Sequence, residues 1–321
     1  MFGDAAMRLT SAAVTLLLLS GVVLGDDNDK ERVGKLVKQL KSEKVAERRL
    51  AASELARLGP DAKAVIANIV EAMEKDTDAK VRAFSVFAIK QMGDAGKGQI
   101  AKVIDVLKAD KNEEVRCVAA DFLGQFGASA KAGVPALIDA LKDADVGPHA
   151  AAALGKMKED AKAAVPALIE ALQVPATRSH AAAALGAIGT ASLPGLTKAL
   201  EDTSEDVRVE AVLALGIIGK PAVDAILKAF ADKEPDVRLN AVSVIGKLGA
   251  EAKAAIKPLG AILEKDKSPD VRIQAAQVLA KFGADAAPVL SILEAAAKDP
   301  NEKVKDAAAE ALAAVKEKLK K

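Results

Sequence analysis

Two histidines, one cysteine and a recurring set of Asp and Arg residues are the side chains here whose types and spacing offer chemistry. His149 and His180 occupy matching contexts 31 residues apart, each followed by Ala. Imidazoles on neighbouring helices, about 8 to 10 Å apart, could converge on one metal. The matching positions on either side hold Val118 and Glu210, however, so no third ligand follows and the pair reads as partly exposed surface histidines. Cys117 sits where other segments carry Val209, Leu239 and Ile273, so it reads as a packed thiol. As the one cysteine it excludes an intrachain disulfide. No Gly-x-Ser-x-Gly elbow, Walker loop or dinucleotide fingerprint occurs. No catalytic residue, cofactor or metal site is expected, and the chain is not expected to be an enzyme.

The charged set is more regular. Asp76, Asp110, Asp202, Asp232, Asp266 and Asp299 each precede by six residues Arg82, Arg116, Arg208, Arg238, Arg272 and Lys305. An Asp just before a helix meets backbone N–H groups that lack partners inside the helix. These charges therefore read as structure.

The elements that place them repeat. Val207 to Gly219 matches Val237 to Gly249, Val271 to Gly283, Val115 to Gly127 and Val81 to Gly93, with a Val-Arg start and a terminal Gly. Weaker copies begin at Glu47, Val146, Thr177 and Val304. The Arg positions, 48, 82, 116, 147, 178, 208, 238, 272 and 305, are 34, 34, 31, 31, 30, 30, 34 and 33 residues apart. Apolar residues fall at Val207, Ala211, Leu215 and Ile218, one face of a helix. A second apolar-periodic segment precedes each, as in Val134 to Leu141, with Pro135, Pro166, Pro194, Pro258 and Pro288 near its start, where a missing N–H is tolerated. Nine helix pairs are predicted, with glycines such as Gly219 and Gly249 ending second helices in the left-handed conformation. Composition agrees: 51% of residues are hydrophobic but only 2% aromatic, all Phe, so the core is built from Ala, Val, Leu and Ile.

The motif Asp-x-x-x-x-Val-Arg-x-x-Ala-x-x-x-Leu-Gly, nearly whole at Asp202 to Gly216 and Asp232 to Gly246, resembles the HEAT-repeat superfamily, in particular its bacterial short-repeat, phycobilisome-lyase-type branch. The resemblance covers residues 30–321. It implies an all-α, right-handed superhelical solenoid of about nine helix pairs. It also implies that each Asp pairs with the Arg of a neighbouring repeat, forming a ladder. The fourth and fifth repeats lack two residues in this turn; Gly147 replaces Arg, and 174–177 holds no carboxylate, so a break is expected there.

Residues 1–25 differ from the rest. After Arg8 an apolar run, Ala12 to Leu24, ends at Asp26, Asp27, Asn28 and Asp29, the pattern of a signal peptide cleaved after Gly25. An uncleaved N-terminal anchor is the alternative. Met7-Arg8 makes a better leader start than residues 1–6. The solenoid at 26–321 is thus expected to be secreted or periplasmic.

Function follows from what is left over. Members of the family that hydroxylate a modified lysine use His-Glu pairs, absent here. Those that excise DNA bases use basic and aromatic residues, whereas this chain has no Trp or Tyr and 46 basic against 45 acidic residues. A phycobilin-lyase-like or other family enzyme is the alternative reading. The family's second helices line the concave side, so two columns form its floor: Leu50, Phe84, Val118, His149, His180, Glu210, Asn240, Gln274, and Ser53, Phe87, Asp121, Ala152, Ala183, Leu213, Ser243, Gln277. A floor apolar at Phe84, Phe87 and Val118 and polar later suits a protein or extended peptide. The alternative is that both Phe side chains fill gaps in the packing. The expectation is a monomeric, exported scaffold for an unidentified protein or peptide, without nucleic acid or cofactor and with no membrane contact beyond an N-terminal anchor.

Overall fold

The structure, a computed structural model, describes residues 26–320. The expected leader at 1–25 lies outside them. Two compact units divide the chain after Met92. The described part of the first holds α1 (Asp26–Leu40), α2 (Val45–Leu58), α3 (Ile66–Lys75) and α4 (Ala79–Gln91). The second begins with a single turn, α5 (Asp94–Lys97), then pairs α6 (Ile100–Ala109) with α7 (Glu113–Phe126) and α8 (Val134–Ala140) with α9 (Gly147–Met157). It continues with α10 (Val165–Ala171) and α11 (Arg178–Ile188), then α12 (Leu193–Ala199) and α13 (Glu205–Ile218). The last pairs are α14 (Val223–Lys228) with α15 (Pro235–Leu248), α16 (Ile256–Lys265) with α17 (Pro269–Phe282), and α18 (Leu290–Ala296) with α19 (Glu302–Leu319). This is an all-α solenoid of nine helix pairs, plus α5, with no strand among the described residues.

First and second helices are buried differently, and the sequence pattern shows why. A first helix such as α6 buries one stripe, Val103, Ile104, Val106 and Leu107. A second helix such as α13 buries Val207, Ala211 and Leu215 but also Arg208, Val212 and Ala214, because helices flank it on several sides. In the second unit, successive second helices approach closely enough to need glycine. A Cβ at Gly124 would lie 2.8 Å from the Ala153 Cα, one at Gly155 3.0 Å from the Ala184 Cα, and one at Gly216 2.7 Å from a Val244 methyl. The Gly of the Leu-Gly motif is therefore a contact residue between repeats.

The glycines ending second helices have positive φ, but ψ near −121° to −144° places them in a region that strongly favours glycine. This corrects the left-handed helical conformation expected from sequence. Lys158 occupies the same position after α9 at φ 52°, ψ −131°.

The Asp–Arg relationship ties consecutive turns together. In the first unit Arg48 Nε and Nη2 donate to the two oxygens of Asp76 at 2.7 and 3.0 Å, while Nη1 reaches the Ser42 carbonyl at 3.0 Å. Arg82 Nη1 likewise donates to the Asp76 carbonyl at 2.9 Å. In the second unit Arg208 grips Asp232 and Arg238 grips Asp266 in the same two-pronged way, each returning Nη1 to the carbonyl six residues before it. Each Asp also accepts the N–H two residues on, as Asp110 does from Asn112 and Asp202 from Ser204. Arg272 reaches Asp299 at 3.2 Å through Nη2 alone, leaving its buried Nε without a partner.

The run is interrupted at the fourth and fifth repeats. Arg116 bonds Asp143, a residue the six-residue spacing did not select. Gly147 starts α9, where a Cβ would lie 2.9 Å from Thr177 Oγ1 and 3.0 Å from the Leu141 carbonyl oxygen; no side chain fits. Arg178 turns to Asp206, and Asp202 takes the amide of Gln173 instead of an arginine.

Candidate functional site

The residues expected on the second-helix floor fall in both compact units. In the first, Phe84 and Phe87 project from α4 and are half-buried, with the Lys90 ammonium 5.6 Å from the Phe87 ring centre. Leu50 on α2 is 54% exposed. In the second unit, Val118 on α7, His149 on α9 and Glu210 on α13 are half-buried, and His180 on α11 is exposed. Because α7, α9, α11 and α13 stack in order, these four side chains follow one another along the layer of second helices.

The structure adds a residue to that surface. Ile217, nine places after Arg208, is the most exposed large apolar side chain described, at 57%. It packs against Gly186 of α11, where a Cβ would come within 2.6 Å of its own. Exposed Ala183 and Ala187 lie one turn apart on α11, and half-buried Leu213 lies one turn before Ile217. Together they make a shallow apolar strip. In the sequence its position is nine residues after the Arg, a position that holds Lys156, Lys247 and Lys281 in other repeats.

Charge near the strip is organised. Burial pushes the Glu210 carboxyl upward, a rise that nearby Arg178 opposes and Asp206 reinforces. Asn240 Nδ2 donates to the Asp236 carbonyl at 2.9 Å, which uses its amide locally.

His149 has unexpected neighbours. Its Nδ1 lies 2.9 Å from Asp121 Oδ1. The bond to Asp121 first, and the neighbouring Cys117 second, push its pKa up to about 10 against the opposing effect of burial. Cys117 is half-buried, and its thiol donates to the Asp145 carbonyl at 3.5 Å; this corrects the reading of a merely packed thiol. Among the described residues no group of three or more His, Cys, Asp and Glu side chains is arranged to hold a metal.

Depressions on the molecule are open. One of about 430 Å³ is lined by Pro269, Asp270, Ile273, Asn301, Glu302 and Lys303, and one of about 380 Å³ in the first unit includes Leu40, Arg48, Asn68 and Asp76. Neither includes a residue of the two floor columns.

Comparison with known proteins adds the following. The sequence model for HEAT repeats matches residues 100–176, 165–242 and 223–313. No curated protein matches the sequence significantly. Among solved structures, Kap121p bound to Nup53p superposes with a TM-score of 0.64 at 14% identity, over 92% of this chain and 38% of that one. Kap95p, in a structure of its binding to RanGDP, gives 0.54 at 14% identity, over 89% and 45%. The CpcE and CpcF complex of phycocyanin lyase from Nostoc sp. PCC7120 gives 0.39 at 23% identity, over 46% and 98%. The chain thus spans less than half the length of either Kap protein, and the likeness to them is one of fold.

Proposed function

This chain belongs to the HEAT-repeat family, and we propose that it is an exported, non-enzymatic scaffold that holds an extended segment of another protein along its second helices. The observation that carries the reading is the strip on α11 and α13, where exposed Ala183, Ala187 and Ile217 present apolar surface of low relief beside Glu210. A small metabolite is recognised by enclosure, which such a surface does not offer. An extended chain is recognised by a few apolar anchors along a shallow track, with polar groups at the sides. The structure of Kap121p bound to Nup53p is of a protein with this fold holding another protein, which lends the reading support. Export rests on the apolar run Ala12 to Leu24 and the acidic cluster after it.

The experiment is site-specific photocrosslinking in the native organism, with the probe placed at Ile217 or at exposed Lys198 on first helix α12. Discrete protein adducts are expected from position 217 and not from 198. Adducts indistinguishable between the two positions, or none at 217, reject this face as the binding surface. N-terminal sequencing of the native protein tests export, since a mature chain beginning near Asp26 is expected.

A further inference from the structure

Glu210 is a carboxylate at a position, two places after the Arg, that holds Val118, His149, His180, Asn240 and Gln274 in other repeats of this unit, so the stacking of second helices does not call for an acid there. It is half-buried, and among the described residues no hydrogen bond or ion pair satisfies its carboxylate. His149, at the matching position of its own repeat, meets Asp121 on the second helix before it; the residue that corresponds to Asp121 for Glu210 is Ala183, which offers only a methyl group. The nearby cation is already engaged, since Arg178 donates to Asp206 through Nη1 and to the Leu172 carbonyl through Nε. Arg178 and Asp206 balance each other, and Glu210 remains as uncompensated negative charge. A carboxylate that has lost part of its hydration without gaining a partner is a place where a cation binds with profit. Leu213 and Ile217 follow one and two turns later on the same face of α13, with exposed Ala183 and Ala187 alongside on α11, so the charge stands at one end of the apolar strip.

We propose that the partner segment held on this strip carries a bulky aliphatic side chain and, three residues from it, a lysine or arginine, the first seated on Ile217 and Ala187 and the second paired with Glu210. The inference rests on the scaffold reading and adds the chemistry of the partner to it. The spacing follows from the geometry of the two chains. Glu210 and Ile217 lie two helical turns apart, about 10 Å along α13. An extended segment of polyproline type rises about 3.1 Å per residue with three residues per turn, so side chains three residues apart share a face at about 9 Å. Between the two contacts the small Ala183 side chain lets the segment's backbone come close. The sign of the charge follows from the surroundings: an acidic residue at that place would face both Glu210 and Asp206, and a neutral one would cover Glu210 without replacing its lost hydration.

The test is selection from a random peptide library displayed on phage, with the full chain as bait in three forms, wild type, Glu210→Gln and Ile217→Ser, matched for helical content by circular dichroism. Wild type is expected to enrich sequences in which Lys or Arg stands three residues from Leu, Ile or Val. Glu210→Gln is expected to keep the aliphatic preference and lose the basic one. The most enriched wild-type peptide, labelled and titrated by fluorescence anisotropy, is expected to bind about tenfold more weakly once glutamine replaces its basic residue, and that difference is expected to vanish on Glu210→Gln. An aliphatic preference without a basic one, enrichment of acidic sequences, or a basic preference that Glu210→Gln retains overturns the inference and leaves the strip standing as scaffold surface. Uptake of the same peptides by Ile217→Ser, or no enrichment by wild type, rejects the strip itself, and the inference falls with it.

Discussion

Arg208 holds both carboxylate oxygens of Asp232, at 2.7 and 3.0 Å, with only 4% and 8% of the two side chains exposed. The pair joins the first turn of α13 to the turn before α15, and Arg208 Nη1 adds a bond to the Asp202 carbonyl, in the turn before α13, at 2.9 Å. Removing one partner of such a pair strands the other charge out of water. Arg208→Ala is therefore expected to cost about 3 to 5 kcal/mol. Lys253 and Asp285, 2.9 Å apart but about half exposed, form the control: Lys253→Ala is expected to cost less than about 1 kcal/mol. Urea melts of the two variants check this, and equal losses would mean that burial does not distinguish the pairs.

Lys158 sits at φ 52°, ψ −131°, a conformation that glycine adopts after α2, α7, α15 and α17. A side chain there costs about 1 to 3 kcal/mol, while glycine loses some of that gain to the greater freedom of its unfolded chain. Lys158→Gly is expected to stabilise the protein by about 1 kcal/mol, and Gly249→Ala to destabilise it. A thermal melt in which Lys158→Gly lowers the midpoint would contradict the backbone assignment.

Ala211 and Ala241 are fully buried at the contacts of α13 and α15. Leucine at either position must displace close neighbours, an overpacking cost of about 1 to 3 kcal/mol. Lys281, exposed on α17, is expected to tolerate alanine within about 0.5 kcal/mol. Chemical denaturation of the three variants measures the contrast, and a silent Ala211→Leu would place that helix face elsewhere.

The repeats were legible because each must bury the same face: Val207, Ala211 and Leu215 recur as Val237, Ala241 and Ile245, all buried. The role of the Leu-Gly glycines was not legible, since Gly216 meets Val244 only once helices stack and nothing local marks the approach. The same holds for the His149 cluster. His149 and Asp121 are 28 residues apart, and they meet because the position two after the Arg of one repeat faces the position five after the Arg of the repeat before. Read down a single column, His149 is followed by His180, and that order shows nothing of its contact with Asp121. Read across adjacent columns, Asp121 and His149 stand side by side.

That contact has a titration signature. The bond to Asp121 and then the neighbouring Cys117 raise the His149 pKa from 6.5 to about 10. A raised value means that the charged form is favoured by folding, so the stabilisation is complete below about pH 6.5 and is lost as pH rises toward 10. In NMR the His149 ring is expected to remain protonated through pH 8. The melting difference between wild type and His149→Gln is expected to shrink between pH 7 and 10. A ring that titrates near 6.5 in the folded protein would show that the Asp121 contact does not form.

Partner binding supplies the last prediction, and it separates two apolar surfaces that lie in different compact units. Ile217 is 57% exposed, so the fold gains little from its outer atoms, and Ile217→Ser is expected to leave the melting temperature within a few degrees of wild type. If α11 and α13 hold the partner, the same change removes a central anchor, and truncation of such anchors costs about 2 kcal/mol or more, roughly a thirtyfold loss of affinity. Phe87 is half-buried on α4, so Phe87→Ala removes packing as well as surface. The measurement is capture of the adduct partner found by crosslinking, with matched helical content and melts for both variants. Weak capture by Ile217→Ser at an unchanged melt supports the strip. Normal capture by Ile217→Ser together with weak capture by a stably folded Phe87→Ala would move the binding surface to the first unit. A Phe87→Ala variant that melts several degrees lower yet captures normally would make Phe87 a packing residue, leaving the apolar surface of α11 and α13 to carry recognition.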